Sequence, residues 1–178
     1  MATATVYSFD IQLSDVDRGV YETLAVRAAR QPSETAEYLL TRVLAYCLEY
    51  AEGLAFTAGL AEPDEPALAV RDLTGALQTW IDIGAPDAAR LHKASKAAAR
   101  VVVYTHKDPA ALMRQLGEAR IHRAEALEIY AIDRALLAAL SERLERRMVL
   151  ELAVSDRHLY VTVGGTTLSG VVTPLSLA

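Results

Sequence analysis

The sequence predicts an α+β chain: a mixed β-sheet core flanked by helices, with further strands added at the amino and carboxyl ends. Three observations carry that expectation. Residues 4–13 (ATVYSFDIQL) alternate large apolar and polar side chains, the period-two signature of a strand. Leu39, Leu40, Val43, Leu44, Cys47 and Leu48 recur at three-to-four spacing, as on one face of a helix. Val101-Val102-Val103-Tyr104 is a short continuous apolar run after a helical pattern, which is how a central strand buried on both faces is written.

The elements follow in order. Asp15-Val16-Asp17-Arg18-Gly19 supplies turn chemistry, so residues 20–29 return as the second arm of a hairpin. The segment Gln31-Pro32-Ser33-Glu34-Thr35 opens a helix, with Ser33 as its cap and Glu34 and Glu37 in the first turn, where the helix dipole favours negative charge. That helix is expected to run to about Glu52, stopped by Gly53. Residues 54–58 predict a short strand and residues 59–66, rich in Pro and acid, a loop. Strands at 67–71 and 77–83 flank the turn Asp72-Leu73-Thr74-Gly75. Asp87 caps an alanine-rich helix to Arg100. Beyond the strand at 101–104, helices are expected at 109–120 and 133–146, and strands at 126–131, 148–154, 158–163 and 168–172. No repeat or linker divides the 178 residues, and the expectation is a single domain.

Composition excludes several classes. No apolar run approaches the roughly 18 to 20 residues of a membrane span, and the start MATATVYSFDIQLSD has no basic leader, so neither a membrane protein nor a signal peptide is expected. The single Cys, Cys47, rules out an internal disulfide framework, and its place on an apolar helix face predicts a buried small hydrophobe. A reduced, cytoplasmic protein is the expectation. Net charge is −5, but it is unevenly spread. Residues 1–87 hold 14 acids against 5 bases, while residues 88–178 hold 9 acids against 13 bases. Residues 88–107 contain Arg90, Lys93, Lys96, Arg100 and Lys107 and no acid. An acidic cluster followed by a basic segment suits a metal site beside a phosphate-binding surface, and equally a solvated helix.

Four acids stand at informative places. Glu34 opens the first long helix, Asp64 and Glu65 precede the second central strand, and Asp82 lies near the end of the third. A hairpin brings the start of one strand beside the end of the other, so Asp64 or Glu65 approaches Asp82 although 17 or 16 residues intervene. Converging carboxylates suit Mg²⁺, a hard cation that prefers oxygen ligands, with Mn²⁺ as its substitute. Such an ion polarises a phosphodiester and lowers the pKa of bound water, and a nearby lysine steadies the developing charge. Asp82 sits in an otherwise apolar strand, WIDIG, where an unpaired charge is costly, so it must belong to a site or a network. Trp80 shares its face and is expected in the core, with lining the pocket or stacking a base as the alternative. The four histidines show no ligand spacing.

The segments QPSETAEYLLTRVLAYCLEYAEGLAFTAGL, DEP, RDLTG, WIDIGAPD and the R..KA that follows resemble, in that order, the YaeQ family of bacterial proteins. The resemblance runs from TVYSFDIQLSD to the terminal strands. It implies a core, about residues 33–104, of restriction-endonuclease-like (PD-(D/E)XK) topology, in which a mixed four-stranded sheet is flanked by helices. It also implies a variant nuclease site. Asp82 matches the acid of the third strand, and Glu34 the acid of the first helix. Gly84 stands where the lysine is usual, so Lys93 or Lys96 of the following helix would have to supply it. Lys93 lies about 9 Å along that helix from Asp87. Pro63-Asp64 matches the letters of the remaining motif, but Pro66-Ala67 adjoins the strand, which favours Glu65 over Asp64 as the second metal ligand. Three functions follow: a Mg²⁺-dependent phosphodiesterase on nucleic acid using Asp82, Glu65, Lys93 and Glu34; an inactive nuclease-like module that binds nucleic acid or protein; and a purely structural acid network.

Overall fold

The structure, a computed structural model, describes residues 3–57 and 64–177. Ala58, which would end the expected strand, and the expected loop as far as Pro63 lie outside the described residues. The chain divides into two compact units, one of Met1–Leu48 with Ile132–Thr173 and one of Glu49–Ala131 with Pro174–Ala178.

The first unit is built on a five-stranded mixed sheet in the order β2-β1-β8-β9-β10. β1 (Thr5–Asp15) and β2 (Val20–Arg30) form an antiparallel hairpin whose register holds from Thr5 opposite Arg30 to Asp15 opposite Val20. β8 (Arg147–Ser155) runs parallel to β1, and β9 (His158–Val163) and β10 (Thr166–Leu175) continue antiparallel. Alternation sends Phe9, Ile11, Leu13, Leu150 and Leu152 into the core. Two helices belong to this unit, α1 (Ala36–Leu48) and α4 (Arg134–Ser141), and they pack on each other. Gly170 in β10 makes room for α4, because a Cβ there would stand 2.7 Å from that of Asp133 and 2.8 Å from that of Leu136.

Both ends of α1 differ from expectation. The Glu34 N–H donates to the Gln31 carbonyl at 2.9 Å, closing a turn that keeps Ser33 and Glu34 out of the helix. The cap is therefore Thr35, whose hydroxyl accepts the Tyr38 N–H at 3.1 Å. At the other end the helix stops at Leu48, whose carbonyl accepts from Arg18 Nη1 at 2.9 Å, an end-cap supplied from the β1–β2 turn. α4 likewise stops at Ser141, and the Arg143 and Leu144 N–H groups bond three residues back in tighter turns.

The second unit carries β7-β6-β5-β4-β3. β3 (Leu54–Phe56), β4 (Leu68–Arg71) and β5 (Leu77–Ile83) pair antiparallel, while β6 (Arg100–Thr105) and β7 (Glu128–Ile132) extend the sheet in parallel. The expected turn between β4 and β5 is tied by the Asp72 carboxylate, which accepts the N–H groups of Thr74 and Ala76. α2 (Ala88–Ala97), capped by Asp87, joins β5 to β6, and α3 (Pro109–Gly117) joins β6 to β7. Leu91 and Ala94 of α2 and Leu112 and Leu116 of α3 pack with Trp80, Val101, Val103 and Ile129 in one core, so both helices cover the same side of this sheet. From α1 to β6 the elements run helix, strand, strand, strand, helix, strand, the order expected for residues 33–104.

Candidate functional site

Asp82 comes at the penultimate position of β5, facing α2, and its side chain is only 3% exposed. A carboxylate so buried needs charge-assisted hydrogen bonds. Arg90, in the first turn of α2, supplies them as a two-pronged clamp: Nε to one Asp82 oxygen at 2.7 Å and Nη2 to the other at 3.0 Å. Nη2 also donates to the Glu65 main-chain carbonyl at 2.6 Å. The guanidinium carbon lies 5.3 Å from the centre of the Trp80 ring, so the cation also faces the buried indole. Asp87 fixes the start of the helix by accepting the Arg90 N–H at 2.8 Å.

The expected hairpin does bring the segment before β4 to Asp82. Leu68 pairs with Ile81, which leaves Ala67 alongside Asp82, and Glu65 meets the site through its main chain. Asp64 is exposed and forms an ion pair with Lys93, which holds its carboxyl below the usual range. Lys96 is exposed on α2 and makes no ion pair among the described residues. Glu34 belongs to the first unit, where it is buried against Arg42 at 2.9 Å. Burial raises its pKa, against the pull of Arg42.

A hard divalent cation requires open carboxylate oxygens converging on one point. Here both Asp82 oxygens are bonded to Arg90, Asp64 is bonded to Lys93, and Glu65 gives its carbonyl to Arg90. No group of three or more His, Cys, Asp or Glu side chains among the described residues is placed to hold a metal ion. The donor set in this arrangement does not fit Mg²⁺.

The YaeQ protein family model matches residues 1–171. This chain belongs to the YaeQ family. It is 33% identical over 161 residues to an uncharacterised YaeQ protein of Escherichia coli K12, covering 89% of this chain and 88% of that one. Its counterpart in Salmonella typhi is 32% identical over 160 residues, with the same coverage. The crystal structure of YaeQ protein from Pseudomonas syringae superposes with a TM-score of 0.90 at 31% identity, covering 97% of this chain and 96% of that one. The YaeQ structure from Xanthomonas axonopodis pv. citri gives 0.89, also at 31% identity, over 98% and 99%. The α+β architecture of this chain is thus the one its YaeQ relatives adopt.

Two features of this YaeQ chain escaped sequence reasoning. Arg90 resembled one more base on a solvated helix. The signal was its place, since a cation in a first helical turn opposes the dipole and needs another reason to be there. The second is a cluster across β6 and β7. Arg100 donates to Glu49 at 2.5 Å and to Glu128 at 2.6 and 2.9 Å. The Tyr104 hydroxyl donates to Glu49 at 2.5 Å and stacks on Tyr130, with ring centres 5.3 Å apart. Burial and the Glu49 charge push the Tyr104 phenol well above its ordinary pKa, so it stays a neutral donor. Its members lie on separate elements, without a local motif. Among the described residues no helix is long and apolar enough to cross a membrane.

Proposed function

We propose that this chain is a nuclease-like module that binds nucleic acid through the helical side of its second unit, without cutting it. The observation that carries this reading is a set of exposed bases on and beside α2 and α3. Lys96, Lys107, Arg114 and Arg120 are exposed and form no ion pair among the described residues. Residues 88–123 contain eight Lys and Arg against two acids, despite a net charge of −5 for the chain. Four such bases contacting phosphates would give binding that weakens steeply with salt, with a logarithmic slope of about −3. Asp82, neutralised by Arg90, supports the absence of cleavage.

The test is fluorescence anisotropy with labelled DNA and RNA across a salt series in EDTA. Binding with that slope, reduced when Lys96 and Arg114 are changed to Glu, is the expected result. Absent or salt-insensitive binding overturns the reading and points to a protein partner. A second reading, Mg²⁺-dependent phosphodiester cleavage, is favoured by Asp82 lying near the end of β5 beside the segment that carries Glu65. Cleavage with Mg²⁺ or Mn²⁺ that Asp82→Asn abolishes would replace the first reading with this one.

A further inference from the structure

We propose that Arg90 is the built-in cation of the Asp82 site: its guanidinium stands in for a divalent ion and closes the site to metals. This clamp deepens the non-cutting half of the reading above, and it stands whether or not the exposed bases bind nucleic acid. Two tasks of a metal at such a place are to neutralise a buried carboxylate and to bridge it to a second chain segment. Arg90 performs both. It engages the two Asp82 oxygens at 2.7 and 3.0 Å and reaches the Glu65 carbonyl at 2.6 Å, tying β5 to the segment that leads into β4.

The chemistry is specific to arginine. A planar fork of donors matches the two carboxylate oxygens and still leaves a donor position for the carbonyl, whereas an ammonium group is a point charge. Helix energetics do not explain the residue, because a first-turn cation meets the positive end of the dipole. The ring of Trp80, 3% exposed, backs the guanidinium and leaves the Asp82 side of the clamp away from water. A hydrated Mg²⁺ or Mn²⁺ would have to displace a charge already bonded to both oxygens it needs.

A double-mutant cycle on the full chain tests this, with R90Q, D82N and R90Q/D82N compared by thermal and chemical unfolding and by calorimetric titration with MnCl2. R90Q is expected to lower stability by leaving Asp82 charged and unpaired. Adding D82N should recover most of the loss, a coupling of roughly tenfold or more in the folding constant. Wild type is expected to show no Mn²⁺ binding that D82N removes. Should R90Q fail to fold, R90K, which keeps the charge but loses the fork, gives with R90K/D82N a second cycle in which a smaller but non-zero coupling is expected. Independent, additive effects of the two substitutions would overturn the proposal. So would Mn²⁺ binding by wild type that is lost in D82N.

Discussion

At Gly53 the backbone has a φ of +89°, and a Cβ built there would run into the main-chain carbonyl of Arg71. The Arg71 N–H in turn donates to the Gly53 carbonyl at 3.1 Å, so two main chains meet at the mouth of the β3–β4 pair. Gly53→Ala combines left-handed strain with a backbone collision that no side-chain rotation relieves. A loss of about 1–3 kcal/mol or more is expected, read as a lower urea midpoint. An unchanged midpoint would show that the strand pair parts at no cost. Gly53 was expected to stop α1, which instead ends five residues earlier at Leu48, and its close approach was not legible, because that depends on a residue 18 positions away. Asp82 was legible for a stronger reason: a charge inside WIDIG has to be compensated wherever the strand is buried. Which residue compensates it is set by the rotation of α2 against β5, and no local pattern records that rotation.

Between elements, parallel pairing of β6 with β7 sets Val102 opposite Glu128, which leaves Arg100 two residues back on the same face and within reach of that carboxylate. The Arg100 guanidinium holds the Glu128 carboxyl below its usual value. A depressed folded pKa means stability that is present above the unfolded value and is lost as pH falls through the folded one. Denaturation midpoints should therefore decline as pH falls through and below the ordinary carboxylate range, and Glu128→Gln should flatten part of that decline. Both side chains are about a third or more exposed, so the variant should cost about 1 kcal/mol or less at neutral pH. An identical pH profile in the variant would dismiss the pair as a contributor. Strands such as β5, β8 and β9 were legible to within a residue or two, since alternation and apolar runs belong to the strand itself. Helix ends were less so. Thr35 caps α1 because a turn at Gln31 displaces Ser33, and Arg18 ends it from a distant hairpin.

Over the whole molecule, the chain contains one Cys and one Trp, and each reports on a different unit. Cys47 lies in α1 of the first unit, fully buried, and burial pushes its thiol pKa up to about 12. It is inert until that unit opens. Trp80 lies in the core of the second, 3% exposed, with Arg90 against its ring. The boundary between the units falls within β7, whose Ile132 groups with the first while Glu128–Ala131 group with the second, and within β10 between Thr173 and Pro174. Residues 49–131 of the second unit lie between the two stretches of the first, so ordering one unit shortens the loop that the other must close. Loss of Trp80 fluorescence and gain of Cys47 reactivity towards a thiol reagent are therefore expected at the same urea concentration, as one two-state transition. Two separated midpoints would mean that the units melt independently, and stability effects at Asp82 and Gly53 would then have to be assigned to the second unit alone.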